Sequence, residues 1–382
     1  MVAGGGLVDQ IRDAGAQGGV NKAALALLAA AAAGPVGADW SEEWDGSLRA
    51  ARQEGSVVIY TFPGQETWFQ QFQKRFPEIR LVEVTVRGSD RVARILAERR
   101  AGKYLGDLLI GGVGSASAGL LKSGLLDPIK PALILPEVLD QSKWWNGSHL
   151  YGDGERRYIL SFGGAPLHYF HYNTNLVEPQ EFRSYWDLLH ARWRGKIVVA
   201  EPLTGGTQEP LQFLYHNREL GPEFVRRFLS ETEPAASRDV RQLVDWLAQG
   251  KYAVSALQNA DRIGLWDARR QGLPVNAFET GKFKEGSMVG SGGGNIALLN
   301  RSPHPGAARV FVNWLLSREG QIAYQRYVQG GRNSLRIDIP KDDVPAHARI
   351  NPGSKYTLID DEAYSDLDSV RGFVSEIWKK KK

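Results

Sequence analysis

The sequence predicts an α/β protein of two lobes, each a sheet flanked by helices. Three observations carry this expectation. Strand-like and helix-like runs alternate three times between Ser56 and Gly124, an order that builds a parallel sheet with right-handed crossovers. A second alternation runs from about Pro166 to Met288, after an interruption rich in Pro, Trp and Gly. The length of 382 residues is more than one hydrophobic core usually fills.

Taken in order, "EEWDGSLRAARQEG" from Glu42 predicts a helix closed by Gly55, "SVVIYT" a buried strand over Ser56 to Thr61, and "ETWFQQFQKRFP" a helix stopped at Pro77. "IRLVEVTV" reads as the next strand. "SDRVARILAERRAG" follows as a helix, with Val92, Ile95, Leu96 and Arg99 in the i, i+3, i+4, i+7 rhythm. "DLLIGG" and "SASAGLLKSG" complete the first series. In the second, "RYILSFGGAPLHYFHYNTNLV" gives two strand-like runs and "EFRSYWDLLHARWRGKIVVAEP" a helix and then a strand. "PLQFLYHNRELG", "GPEFVRRFLSE" and "RDVRQLVDWLAQG" read as helices, and "YAVSAL" as a strand. Beyond the glycine-rich "VGSGGG" come the strand "NIALL" and "PGAARVFVNWLLSREGQIAYQRYV", whose Ala308, Phe311, Val312, Leu315 and Leu316 share one helical face. The expected boundaries are a signal segment over 1–38, a first lobe from 39–165 plus 290–382, and a second lobe over 166–289.

Composition narrows the class. An apolar fraction of 42% and a charged fraction of 24% are those of an ordinary folded chain. The formal charge of +4 arises from 47 basic and 43 acidic residues, and the four terminal lysines account for it, so no nucleic-acid partner is expected. There is no cysteine, which removes disulfides, thiolate metal sites and cysteine nucleophiles. Ala23 to Ala33 reads "AALALLAAAAA", too short to span a bilayer, followed by small residues at Val36-Gly37-Ala38. This is the grammar of a cleaved export signal ending near Ala38, with Val20 as the start that gives a short basic front end; the bland alternative is an Ala-rich helix at the edge of the fold.

Catalytic motifs do not assemble. Every Gly-Lys pair lacks a following Ser or Thr, since Lys103 and Lys251 precede Tyr, Lys196 precedes Ile and Lys282 precedes Phe. The glycine run fails the dinucleotide pattern because Asn295 stands where the third glycine belongs. No Ser sits in a G-x-S-x-G elbow and no H-E-x-x-H occurs. His168 and His171, three apart in a strand-like run, point to opposite faces and make a poor chelating pair. What remains is small polar residues at strand-to-helix junctions: Arg87-Gly88-Ser89, Gly114-Ser115-Ala116-Ser117 and "PLTGGT" at Pro202 to Thr207. In a parallel α/β unit such junctions lie at the carboxyl ends of strands, where helix N-termini offer N–H groups to anions.

The ordered set "GSVVIYT", "FQKRFPEIRLVEVTVRGSDRVARILAERRAGKYLGDLLI", "YNTNLV", "SYWDLLHARWRGKIVVAEP", "LAQGKYAV" and "PHPGAARVFVNWLLSREGQIAYQ" resembles the ferric-iron-type family of bacterial extracellular solute-binding proteins, the receptors of ABC importers. The likeness covers Trp40 to Asp338. It implies a type II periplasmic-binding-protein fold, two lobes of mixed sheet flanked by helices, closing on a ligand in the cleft between them. It also implies a periplasmic location, a permease partner in the membrane and no catalysis.

The ferric ligand set is not kept. Where ferric members carry paired tyrosines, this chain has Asp261-Arg262 in "ALQNADRIGLW", although Asn259 stands where the family has asparagine. "YTFPGQE" and "LLIGGVG" offer no histidine, and Gly112 or its neighbour replaces a glutamate. "TGGT" matches the segment that holds the synergistic phosphate in ferric members, which keeps Gly205, Gly206 and Thr207 as anion donors. The expectation is therefore a small organic or phosphorylated anion bound without metal or cofactor. Arg262 would be the counter-charge, and Thr61, Ser89, Ser115, Ser117, Asn259 and Asn295 would join the donors. A surface ion pair with Asp261 or Asp267 is the bland reading of Arg262, and packing that of Trp144, Trp145 and Trp266. The "VGSGGG" run reads as hinge and ligand wall rather than phosphate loop or hairpin turn, and the protein as a monomer. Ferric iron is the rival ligand. An enzyme on the same fold would need a reactive lysine, cysteine or metal cluster that the sequence does not supply.

Overall fold

A computed structural model describes residues 39–86, 88–113, 118–204, 206–328, 331–360 and 362–379. The expected signal segment, Ser115, Ser117 and Gly205 lie outside these residues. The first stretch of the chain runs α1 (Asp39–Glu54), β1 (Ser56–Thr61), α2 (Glu66–Arg75), β2 (Arg80–Thr85), α3 (Gly88–Arg100), β3 (Leu108–Gly111), α4 (Ala118–Lys122), β4 (Leu126–Asp127), α5 (Pro136–Leu139), β5 (Leu150–Tyr151), β6 (Ile159–Ser161) and β7 (Gly163–Pro166). The second runs β8 (Phe170–Asn173), β9 (Ile197–Ala200), α6 (Gln208–His216), α7 (Gly221–Glu231), β10 (Ala235–Ser237), α8 (Val240–Ala248), β11 (Val254–Ala256), α9 (Leu265–Arg270), β12 (Val275–Ala277) and β13 (Ser287–Gly290). The third runs β14 (Asn295–Leu299), α10 (Pro305–Leu316), α11 (Arg318–Tyr327), β15 (Asn333–Ser334), β16 (Tyr356–Leu358) and α12 (Leu367–Lys379).

The first lobe is built on a sheet of order β2-β1-β3-β14-β6-β5, with β4 also paired to β14. β1 is parallel to β2 and β3, as the alternation predicts, while β14 enters antiparallel with Asn295 opposite Gly111. The second lobe has the order β10-β9-β11-β8-β12, parallel at β9 and antiparallel at β8. A small third sheet, β15-β7-β13-β16, joins them. Its central pair consists of the two segments on which the chain leaves and re-enters the first lobe, with Val289 opposite Pro166.

Each lobe has its own core. In the first, Trp68, Phe72, Phe311 and Trp314 pack beneath the sheet, with the two tryptophan rings stacked 6.3 Å apart. In the second, Tyr185, Phe213, Phe224 and Phe228 play that part. Apolar burial of this size is the dominant stabilising term in both.

Three expectations change. The run from Pro305 is two helices rather than one, broken at Ser317, whose Oγ accepts from Gly320 N at 3.2 Å and caps α11. Gly320 permits the sharp junction, because a Cβ there would lie 1.9 Å from the Trp314 carbonyl oxygen. Nor is α10 one-faced, since it is buried nearly all round. The helix expected in "EFRSYWDLLHARW" is two short 3-10 turns, Tyr185–Leu189 and Ala191–Trp193, separated by His190 in extended conformation. Finally, the tail does not stay with the first lobe. Strand β16 pairs with β13, and α12 buries Val370, Val374 and Trp378 in the second-lobe core, because its apolar stripe needs the face that α6 and α7 leave open.

Candidate functional site

The carboxyl ends of β1 and β3 meet at the glycine turn 291–294. Gly293 lies against the Phe62 ring, which a Cβ would strike at 2.1 Å. Gly292 has φ +54°, a left-handed conformation that suits glycine. Asp360, from the tail, accepts the Ser291 backbone N–H at 2.9 Å and the Ser291 hydroxyl. Asn295 is 1% exposed and fully engaged: Nδ2 donates to Gly111 O and to Ser291 Oγ at 2.9 Å each, and Oδ1 accepts from Ser161 Oγ at 2.6 Å. Its place is thus as a brace between the turn and β3, with no donor left for a ligand. This differs from the direct donor expected of it.

The second-lobe rim is formed by the N-terminus of α6 and the segment after β11. Gly206 sits at φ +97°, and a Cβ there would lie 2.6 Å from both Arg262 Nη1 and Gln258 Oε1. Thr207 is fully buried, and its hydroxyl donates to Thr204 O at 2.9 Å, which turns it into the fold instead of toward a ligand. No side chain caps α6, so the positive end of the helix stays open. Asn259 Oδ1 accepts the Asp261 N–H at 2.9 Å, and its side chain also bonds the Tyr169 phenol. That phenol donates to Glu209; burial first, and Glu209 second, hold it well above the usual tyrosine range. Arg262 is exposed and makes no ion pair among the described residues; Asp267 pairs with Arg270 instead.

The first-lobe rim is different. Thr61, at the end of β1, has no accessible surface, and its Oγ1 has no partner. Arg91, in the first turn of α3, is only 3% exposed, and its Nε and Nη1 have no partner. Burial pulls this guanidinium below its ordinary range, with no carboxylate to restore it. It fits because Gly111 has no side chain: a Cβ there would lie 2.2 Å from Arg91 Nη2. The two orphans sit on opposite faces of the sheet, since Ile59 and Ile110 belong to one cluster and Tyr60 and Leu109 to the other. Beside Gly111, Gly112 packs on Gly292 O, and Gly292 in turn carries the half-buried Arg332, whose Nη1 a Cβ would meet at 2.5 Å. Ser89 shares the first turn of α3 with Arg91.

Other candidates fall elsewhere. Among the described residues no group of three or more His, Asp and Glu could hold a metal ion. His171 Nε2 donates to His168 O at 3.0 Å and His168 Nε2 to His347 O at 2.7 Å, so one bond is local and the other ties the second lobe to the tail segment Ala346–Ala348. Trp144 is buried in the first-lobe core, Trp145 packs against it, and Trp266 stacks 4.6 Å from the His347 ring. Sequence reasoning missed Arg91, Arg332, Asp360 and Tyr169. The signal for the two arginines is their pairing with glycines distant in sequence.

Comparison with known proteins places this geometry. The family described as bacterial extracellular solute-binding protein matches residues 62–322. No curated protein matches the chain in sequence. Among solved structures, a Bordetella ferric binding protein is 18% identical with TM-score 0.64, covering 85% of this chain and 99% of its own. A Trichodesmium protein described in complex with iron and citrate ligands is 16% identical with TM-score 0.62 and the same coverage. The Mannheimia haemolytica ferric iron-binding protein A, in an open conformation, is 13% identical with TM-score 0.63, covering 85% of this chain and 98% of its own. At such identities the likeness establishes the two-lobe fold. Because the family match extends over more than half of the chain and falls on the architecture described above, the chain belongs to the bacterial extracellular solute-binding proteins, the receptors that serve ABC importers.

Proposed function

We propose that the chain is an exported, periplasmic receptor that closes its lobes on a small anion, a carboxylate or a phosphorylated or phosphonate compound, and delivers it unchanged to a membrane permease. The observation that carries this reading is the set of guanidinium groups without carboxylate partners around the cleft rim, each seated on a glycine: Arg91 on Gly111, Arg262 on Gly206 and Arg332 on Gly292. Guanidinium binds carboxylate and phosphate through parallel hydrogen bonds. The uncapped end of α6 supports it, as does the family's extracellular character.

A second reading, ferric iron or a ferric complex, draws on the names of the structural neighbours, one of which holds iron with citrate. Against bare iron stands the chemistry of the rim. The tyrosine there, Tyr169, is buried and holds its proton, which it donates in a hydrogen bond to Glu209, whereas ferric ligation needs a phenolate. A ferric–anion complex would still suit the arginines. Thermal-shift titration with carboxylates, phosphonates, ferric salt and ferric citrate separates these readings, since ligand at 100 times its dissociation constant adds about 2.7 kcal/mol. The anion reading expects a shift from metal-free anions. A shift from ferric salt alone, with a visible charge-transfer band, would replace it by the iron reading.

A further inference from the structure

We propose that Ser56, His304 and Asp107 form a nucleophilic triad on the first lobe, at the end of the sheet away from the cleft, and that the Ser56 hydroxyl accepts acyl and phosphoryl groups from small activated esters and phosphorofluoridates. The three residues come from segments far apart in the chain, so no sequence motif announces them. Ser56 opens β1 and Thr61 closes it, which at about 3.3 Å per residue puts the hydroxyl about 17 Å from the cleft end of the strand. The site is therefore separate from the cleft, whichever ligand the cleft holds.

Asp107, just before β3, has no exposed side-chain surface. Its Oδ1 accepts from the Ser302 hydroxyl at 2.6 Å and from the His304 N–H at 2.9 Å, and its Oδ2 accepts from the Val58 N–H at 2.7 Å. The remaining bond, from His304 Nδ1 to Oδ2 at 2.9 Å, orients the imidazole. A carboxylate can only accept, so Nδ1 carries the proton and Nε2 keeps its lone pair. That lone pair faces Ser56 Oγ at 3.3 Å. Pro303 and Pro305 flank His304, and Pro305 starts α10, so the backbone that carries the ring is stiff as well. Carboxylate, imidazole and hydroxyl thus stand in the order that activates a serine nucleophile. Solvent reaches them, since the His304 side chain is 23% exposed and Ser56 is partly exposed.

In the step, Ser56 Oγ bonds to the acyl carbon or phosphorus as its proton passes to His304 Nε2. The leaving alkoxide or fluoride departs with that proton, and the imidazole is restored. The N–H groups of Gly306 and Ala307, at the start of α10, are held by the Glu54 carboxylate at 3.0 and 2.7 Å. No oxyanion donor comes from that helix end, so a single transfer to Ser56 is expected rather than fast turnover.

The test is intact-mass and peptide mass spectrometry of the full chain after incubation with diisopropyl fluorophosphate and with p-nitrophenyl acetate. Each reagent should leave an adduct that maps to Ser56. Ser56→Ala should abolish it, and His304→Gln should slow its formation by at least about 100-fold, the lower end of what a general base contributes. A second measurement needs no variant: the parent unfolded in urea should not label at Ser56, because the relay exists only in the folded chain. No adduct on Ser56 in the folded parent, equal labelling of the unfolded parent, or an unchanged rate in His304→Gln would each make the cluster a brace for the loop before α10 and overturn the proposal.

Discussion

The rims of the two lobes are made from the same residue types but are finished differently. On the second lobe, hydroxyl, amide, phenol and carboxylate groups close on one another, through Thr207 to Thr204, Asn259 to Asp261, and Tyr169 to Glu209. On the first lobe, Thr61 Oγ1 and Arg91 Nε and Nη1 are as deeply buried as Thr207 and Tyr169 but have no partner among the described residues. A satisfied network fixes a shape; an unsatisfied one leaves interaction energy for a guest. The difference leaves a fixed polar network at the second-lobe rim and unmade hydrogen bonds at Thr61 and Arg91 of the first lobe.

Acid should break the second lobe, which carries the finished rim, most severely. His171 is fully buried and neutral, and burial drives it from 6.5 down to about 3. The unfolded chain takes up a proton near 6.5 that the folded chain refuses, so stability is fully present above that pH and is lost as pH falls toward 3. At about 1.4 kcal/mol per unit, His171 alone removes about 3 kcal/mol by about pH 4. His168 and His347, also lowered first by burial, add to the slope. Urea titrations across that window check this, and His171→Asn should flatten the curve.

Next in size is Asn295→Ala, which strands Gly111 O, Ser291 and Ser161 in the brace between the glycine turn and β3. The cost expected from buried polar groups without partners is about 3 kcal/mol, read as a lower denaturation midpoint. Smaller again is Tyr169→Phe, about 1 kcal/mol, since Glu209 can turn to water. Smallest is Arg262→Ala, within about 0.5 kcal/mol, because an exposed, unpaired side chain holds little of the fold. If Arg262→Ala proved costlier than Tyr169→Phe, the contrast between the rims would be wrong.

Much of this architecture is legible in the sequence. Ser56–Thr61 and Glu66–Arg75 fall where periodicity and Pro77 put them, because β-branched runs and a one-sided aromatic stripe are local signals. The break at Ser317 was not legible: an unbroken apolar rhythm hides a junction that depends on Gly320 against a carbonyl in the preceding helix. The 3-10 turns near Tyr185 were missed for a related reason, since the capping box of Ser184 and Asp187 announces a helix start of either kind while His190, extended, ends the run after five residues. At the site, Arg262 stood out because it replaces something expected. Arg91 did not, because an arginine at a helix start looks solvated until the fold sets it against Gly111. The tail is the clearest case: "GFVSEIW" announces an amphipathic helix but not which lobe it will cover.

That last placement has a consequence for when the molecule can assemble. The first lobe needs α10 and α11 to close its core, and the second needs Trp378, more than 120 residues beyond β11. Neither hydrophobic core closes on local contacts alone, because each waits for helices far along the chain from its central strands, so long-range contacts set the pace of folding. For a member of an extracellular family such lateness is useful, since the topology itself holds compaction back while the polypeptide is still extended.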